Sequence, residues 1–244
     1  MTPEQIANAL GHHPSAKLGL RSSSAALSDG EDRALFDEEA IDRWLVGCCL
    51  LGHNVDVAQS CATLGALAKE GLGLPSAVAK AGRMTVESIL VAAHHPKPEA
   101  NAGLLVRVCG ALEERYGGSL TPLASGSDDL EDLAGRLMGL ASGFGRAAVV
   151  RLLRPLRSAW PLADEVPLDP AARSAALHLG WIREGQDEDG APSALRAHLR
   201  SRTPDDATHF CDTEWALERL GRKACLRERS DRCPLGSDCP QRTR

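Results

Sequence analysis

The chain has 244 residues, a formal charge of −5, 43% hydrophobic residues and only 3% aromatics. That length can bury a real core, as one domain or two. No apolar run reaches the roughly 20 residues that span a bilayer, and Met1-Thr2-Pro3-Glu4-Gln5 lacks the basic-then-apolar pattern of an export signal. The expectation is a cytoplasmic protein, whose cysteines stay reduced and whose C-terminal cysteine cluster points to metal before disulfide.

Alanine, leucine, arginine and glutamate dominate, and alternating runs rich in valine and isoleucine are absent, which predicts an almost entirely helical chain. Residues 1 to about 30, with Gly11, Pro14, Gly19 and Ser22-Ser23-Ser24, read as one short helix and a loose connection. A very apolar helix is expected from about Asp37 to Leu51, broken at Gly52-His53-Asn54. The next covers Val55 to Lys69 and stops at Gly71-Leu72-Gly73. Shorter helices follow from Pro75 to Ala81 and from Thr85 to His94. After Pro96 and Pro98 a long helix runs from Glu99 to Arg115, closed by Gly117-Gly118, and a loop reaches Ser127.

Two helical runs then flank a short turn. Leucines at helical spacing fill Leu130 to Leu140, and a second run covers Ala147 to Arg154, with Gly143-Phe144-Gly145-Arg146 between them. Two glycines allow a tight turn and expose the amides that open the second helix, where a phosphate can bind and Arg146 can add a charge-assisted contact. Such a turn can grip a nucleic-acid backbone without reading sequence; it can equally be a plain helix–helix connection. Beyond Pro155 and Pro161 lies Val166-Pro167-Leu168-Asp169-Pro170, then a helix from Ala171 to Leu179, ended by Gly180-Trp181. Gln186 to Pro192 reads as an exposed loop, and a last helix from Thr213 to Leu220 stops at Gly221. From Arg219 to Arg244 there are eight Lys/Arg against three Asp/Glu, so an acidic chain ends in a basic tail.

The order of these parts resembles the endonuclease III-like superfamily of helix-hairpin-helix DNA glycosylases, from about residue 38 to 240. Four segments carry the resemblance: Leu50-Leu51-Gly52-His53-Asn54-Val55-Asp56; Lys97-Pro98-Glu99-Ala100-Asn101 with the helix ending Glu114-Arg115-Tyr116-Gly117-Gly118; the Gly143–Arg146 turn with Pro167-Leu168-Asp169; and Leu220-Gly221-Arg222-Lys223-Ala224-Cys225. The resemblance implies an all-α fold of two lobes with a DNA-binding cleft between them. Residues 33–157 would form a helical barrel lobe ending in the hairpin, and 1–32 plus 158–244 the second lobe with its cysteine-rich loop. It also implies a monomer, located with the nucleoid, that acts on double-stranded DNA carrying a lesion and turns the target nucleotide out of the stack.

Residue by residue, Asp169 matches the family's catalytic aspartate, whose carboxylate stabilises oxocarbenium-like charge on the sugar or activates water. Asp169-Pro170 is also an ordinary helix start, and one residue can serve as both. Gly143, Phe144, Gly145 and Arg146 would hold backbone phosphates. His53 and Asn54 stand where relatives place the residue that fills the gap left by the flipped base, or they are simply a helix terminus. Ala147 is a departure: members that also cut the strand carry a lysine there for a Schiff base, so a monofunctional glycosylase is implied. The glutamate of the adenine-removing branch is replaced by Gly47. A non-catalytic, damage-recognising paralogue is the alternative, and a helical metal-binding interaction protein unrelated to DNA is a third reading.

The family's [4Fe–4S] loop has four cysteines. Here Cys225, Cys233 and Cys239 have seven and five residues between them, so the pattern's second cysteine is missing. Cys211 is the further cysteine nearest in sequence, and a bend would be needed to bring it back. A cluster on Cys211, Cys225, Cys233 and Cys239, a zinc ion on the same residues, and a metal-free remnant all stay open. Cys48, Cys49, Cys61 and Cys109 read as core, and Trp44, Trp160, Trp181 and Trp215 as packing residues.

Overall fold

The structure is a computed structural model, and it describes residues 38–51, 55, 57–157, 160–185, 190–202, 210–227 and 233–235. The expected helix and connection within residues 1–30 lie outside them. The described residues form ten α-helices and three 3-10 turns with no strand, an all-α architecture. None of the described helices is long and apolar enough to cross a membrane. The chain divides into two units between Asp164 and Glu165.

In the first unit, α1 (Glu38–Leu50) is buried from Ala40 to Leu50 except at Arg43. A helix apolar on every side must be surrounded, and α1 packs against α2 (Val57–Lys69), α3 (Pro75–Ala92), α4 (Pro98–Tyr116), α5 (Leu120–Ser125) and α7 (Arg146–Leu153). Its polar groups are satisfied within that packing. The Trp44 indole N–H donates to the Leu152 carbonyl at 3.1 Å, and the Asp42 carboxylate accepts from the Leu120 amide at 2.8 Å, closing the start of α5.

The two short helices expected over 75–94 are the two pieces of α3. Gly82, at φ +76° and ψ +168°, breaks the helical path between them, a conformation open to glycine. Helix α4 ends where the paired glycines suggested, with Gly117 left-handed at φ +67°. Its start is pinned by His95, which is buried between Thr63 and Asn101. Thr63 donates its hydroxyl proton to the Gln59 carbonyl at 2.9 Å, so the imidazole Nδ1 must donate to Thr63 and Nε2 accept from Asn101. That arrangement requires the neutral ring, and burial likewise pushes the His95 pKa down.

The stretch expected as a loop before Ser127 contains α5. Its Pro122 sits in the first helical turn, where no N–H is needed, and Ser119 caps it by accepting from Thr121 N at 3.3 Å. Helix α6 (Leu130–Met138) follows, capped by Asp129, and the first unit then runs through α7.

The second unit holds α8 (Pro170–His178), α9 (Gly190–Arg202) and α10 (Phe210–Lys223). Helix α9 corrects the expected loop over Gln186–Pro192. Residues 186–189 lie outside the described residues, but Gly190, Ala191 and Pro192 open a helix, and Ala191 and Pro192 are buried. Ala172, Ala175 and Ala176 of α8 form one core with Leu195, Leu217 and Leu220. Small side chains on α8 let α10 approach its backbone. The closest point is Gly221, where an added Cβ would stand 2.0 Å from the Ala171 carbonyl oxygen. Gly221 is therefore a contact glycine within α10 and not the helix stop expected from sequence.

Candidate functional site

The turn between α6 and α7 is built by its glycines. Gly143 has φ +101°, which a side chain would strain, and it lies against Leu104 of α4. The Phe144 amide donates to the Ala141 carbonyl at 3.0 Å and its ring enters the core at 1% exposure. The Phe144 side chain anchors the turn from the core, which leaves only its backbone to face outward. Gly145, at φ −87° and ψ 179°, is the N-cap of α7, with no side chain to close it. Its carbonyl receives the Ala148 and Val149 amides at 2.9 and 3.2 Å.

By helix geometry the Arg146 and Ala147 amides have no intrahelical carbonyl, and both residues are exposed, as are Gly143 and Gly145. A Cβ at Gly145 would meet nothing within 4 Å. The turn is braced from α4: Arg115 donates to the Gly139 carbonyl at 3.1 Å and Arg107 to the Ser142 carbonyl at 3.4 Å. The result is an exposed helix start with partial positive charge, open space at Gly145 and an exposed arginine, Arg146, at the first helical position.

Asp169 belongs to the second unit and is 8% exposed. It is the N-cap of α8, as the Asp-Pro pair suggested, with Pro170 at the first helical position. Oδ1 accepts from the Ala171 amide at 2.8 Å, and the Asp169 carbonyl accepts from Arg173 N at 2.8 Å. Oδ2 accepts from Arg222 Nη2 of α10 at 3.0 Å, and Arg222 also reaches Glu218 Oε1 at 2.9 Å, one turn back. Partial burial works against the charged guanidinium, yet the Asp169 and Glu218 carboxylates outweigh it and hold the Arg222 pKa above its usual range.

Arg222 received no role from the sequence, although it stands inside the Leu220-Gly221-Arg222 segment. The available signal was that segment's glycine, placed within an amphipathic helix directly before an arginine.

His53 and Asn54 lie outside the described residues, and so does Cys239. Cys233 is buried in the α8–α10 core, and Cys225, opening the 3-10 turn Cys225–Arg227, packs against the same core. Cys211 sits in the first turn of α10, and the helix continues to Lys223, about 18 Å further along its axis, before Cys225 is reached. Among the described residues no group of three metal-binding side chains assembles. The donor set of Cys225, Cys233 and Cys239 thus remains one thiolate short of a four-cysteine cluster. The buried thiols Cys48, Cys49 and Cys109 are core as expected, and burial raises their pKa above the usual thiol range. Comparison of the whole chain with protein families and with characterised proteins finds no match.

Proposed function

We propose that this protein is a monofunctional DNA glycosylase of base excision repair, with the two-lobed helix-hairpin-helix fold, acting as a monomer on duplex DNA that carries a damaged or inappropriate base. The observation that carries the reading is Asp169, a carboxylate fixed by a backbone N–H and an arginine at a helix start. Breaking an N-glycosidic bond builds positive charge on the sugar. A carboxylate that is already oriented stabilises that charge without reorganising, and it can align the attacking water. Arg146 and the open amides of α7 supply sequence-independent phosphate contacts. Ala147 offers no amine, so the sugar is not captured as a Schiff base and the product is an intact abasic strand.

Incubation with duplexes that each carry one of a panel of base lesions, followed by alkali, tests this. Strand cleavage that appears only after alkali is expected for at least one lesion. Cleavage without alkali contradicts the monofunctional assignment.

A second reading, a damage-binding protein without turnover, is favoured by one observation: both Asp169 oxygens already have local partners, as in a purely structural cap. It predicts lesion-dependent affinity with no base release from any member of the panel. The iron–sulfur cluster remains a proposal resting on the resemblance alone, and iron content below one atom per chain in anaerobically purified protein would remove it.

A further inference from the structure

We propose that Arg222 is a positioning residue for the Asp169 carboxylate, an inference that rests on the glycosylase reading above. Three features of the second unit converge on it. The first is Gly221: with no side chain between its backbone and the Ala171 carbonyl, α10 lies directly on the first turn of α8. This fixes where residue 222 emerges, next to the cap of α8. The second is the guanidinium itself, which is held at two points, Asp169 Oδ2 at 3.0 Å and Glu218 Oε1 at 2.9 Å. A planar fork can span two carboxylates in this way, whereas a lysine ammonium acts as a point charge. The third is the Ala171 amide on Oδ1 at 2.8 Å.

A donor on each oxygen, the Ala171 amide on Oδ1 and the Arg222 guanidinium on Oδ2, fixes the plane of the carboxylate.

A purely structural tie explains the pair poorly. The Arg222 side chain is 60% exposed, so solvent screens its half of the pair with the buried Asp169 carboxylate and limits what the pair adds to folding. The helix contact itself is made by Gly221 and the alanines of α8, which do not depend on Arg222. Loss of the guanidinium should therefore disturb the chemistry more than the fold.

The test uses the full chain and whichever lesion duplex the wild type processes, in single-turnover reactions. Arg222→Ala is expected to lower the rate of base release about 10- to 100-fold, the scale of a mispositioned catalytic group. Duplex affinity is expected to stay within about twofold of wild type, because a positioning residue acts on the carboxylate and not on the strand. Arg222→Lys should recover part of the rate. Millimolar ethylguanidinium should recover part of it for Arg222→Ala, whereas sodium chloride at the same concentration should not.

A wild-type rate in Arg222→Ala overturns the inference and leaves the function standing. A lowered rate that neither lysine nor ethylguanidinium restores also overturns it, assigning the loss to the fold. Absence of base release by the wild type from every lesion removes the function and this inference together.

Discussion

Two helix starts in this protein meet the same physical requirement in opposite ways. Both α7 and α8 begin with backbone amides that no carbonyl of their own helix can satisfy, and both carry partial positive charge at that end. At α8 the N-cap is Asp169, whose carboxylate accepts from the Ala171 amide and is itself held by Arg222. At α7 the N-cap is Gly145, which brings no side chain, and the residues around it are exposed. The first start holds an anion that belongs to the chain. The second has no side chain of its own to do so. One residue type at the cap decides which, because the backbone geometry that follows is alike in both.

Four substitutions probe these two helix starts, and the largest effect is expected at Gly221. Gly221→Ala places a Cβ 2.0 Å from an immobile carbonyl oxygen, so α10 must lift from the start of α8. A loss of about 3 kcal/mol or more is expected in denaturant titration. A stability within about 0.5 kcal/mol of wild type would show that the contact relaxes freely. Next is Asp169→Ala, which removes the closed cap and the partner of Arg222 together. It should cost about 1–2 kcal/mol in the same titration.

Gly145→Asp makes the open start resemble the closed one. A Cβ added at Gly145 meets nothing within 4 Å. A gain of a few tenths of a kcal/mol in stability is expected. Affinity for duplex DNA, measured by fluorescence anisotropy, should fall about tenfold, because the cap and the phosphate compete for the same amides. Unchanged affinity would remove the α7 start from the interface. The smallest effect belongs to Arg146→Ala: the slope of log affinity against log salt should become shallower by about 1 if that guanidinium meets a phosphate. An unchanged slope would place Arg146 away from the strand.

Much of this architecture was legible because local chemistry dictates it. The break in α3 follows from Gly82, the end of α4 from Gly117, and the start of α8 from Asp169-Pro170, each needing only its neighbours in sequence. What escaped depends on other parts of the chain or on position within a turn. The loops expected before Ser127 and over Gln186–Pro192 contain Pro122 and Pro192, yet both prolines stand in a first helical turn, where proline is tolerated. Gly221 read as a stop because glycine so often ends helices. Its actual cause is the Ala171 carbonyl, which is remote in sequence. Arg222 was invisible as a site residue for the same reason, since its partner Asp169 lies on another helix. Phe144 stood in a turn rich in exposed residues, and only the packed structure shows its ring serving as the anchor.

The central claim is that the charge of Asp169, and not only its cap, has a function. Asp169→Asn separates the two, because asparagine caps a helix about as well as aspartate while carrying no charge. Base release from the lesion duplex, measured at equal occupancy for Asp169→Asn and wild type, is the most direct measurement. A rate reduced at least about 100-fold is expected, with stability and duplex affinity close to wild type. Base release at the wild-type rate in Asp169→Asn would contradict it.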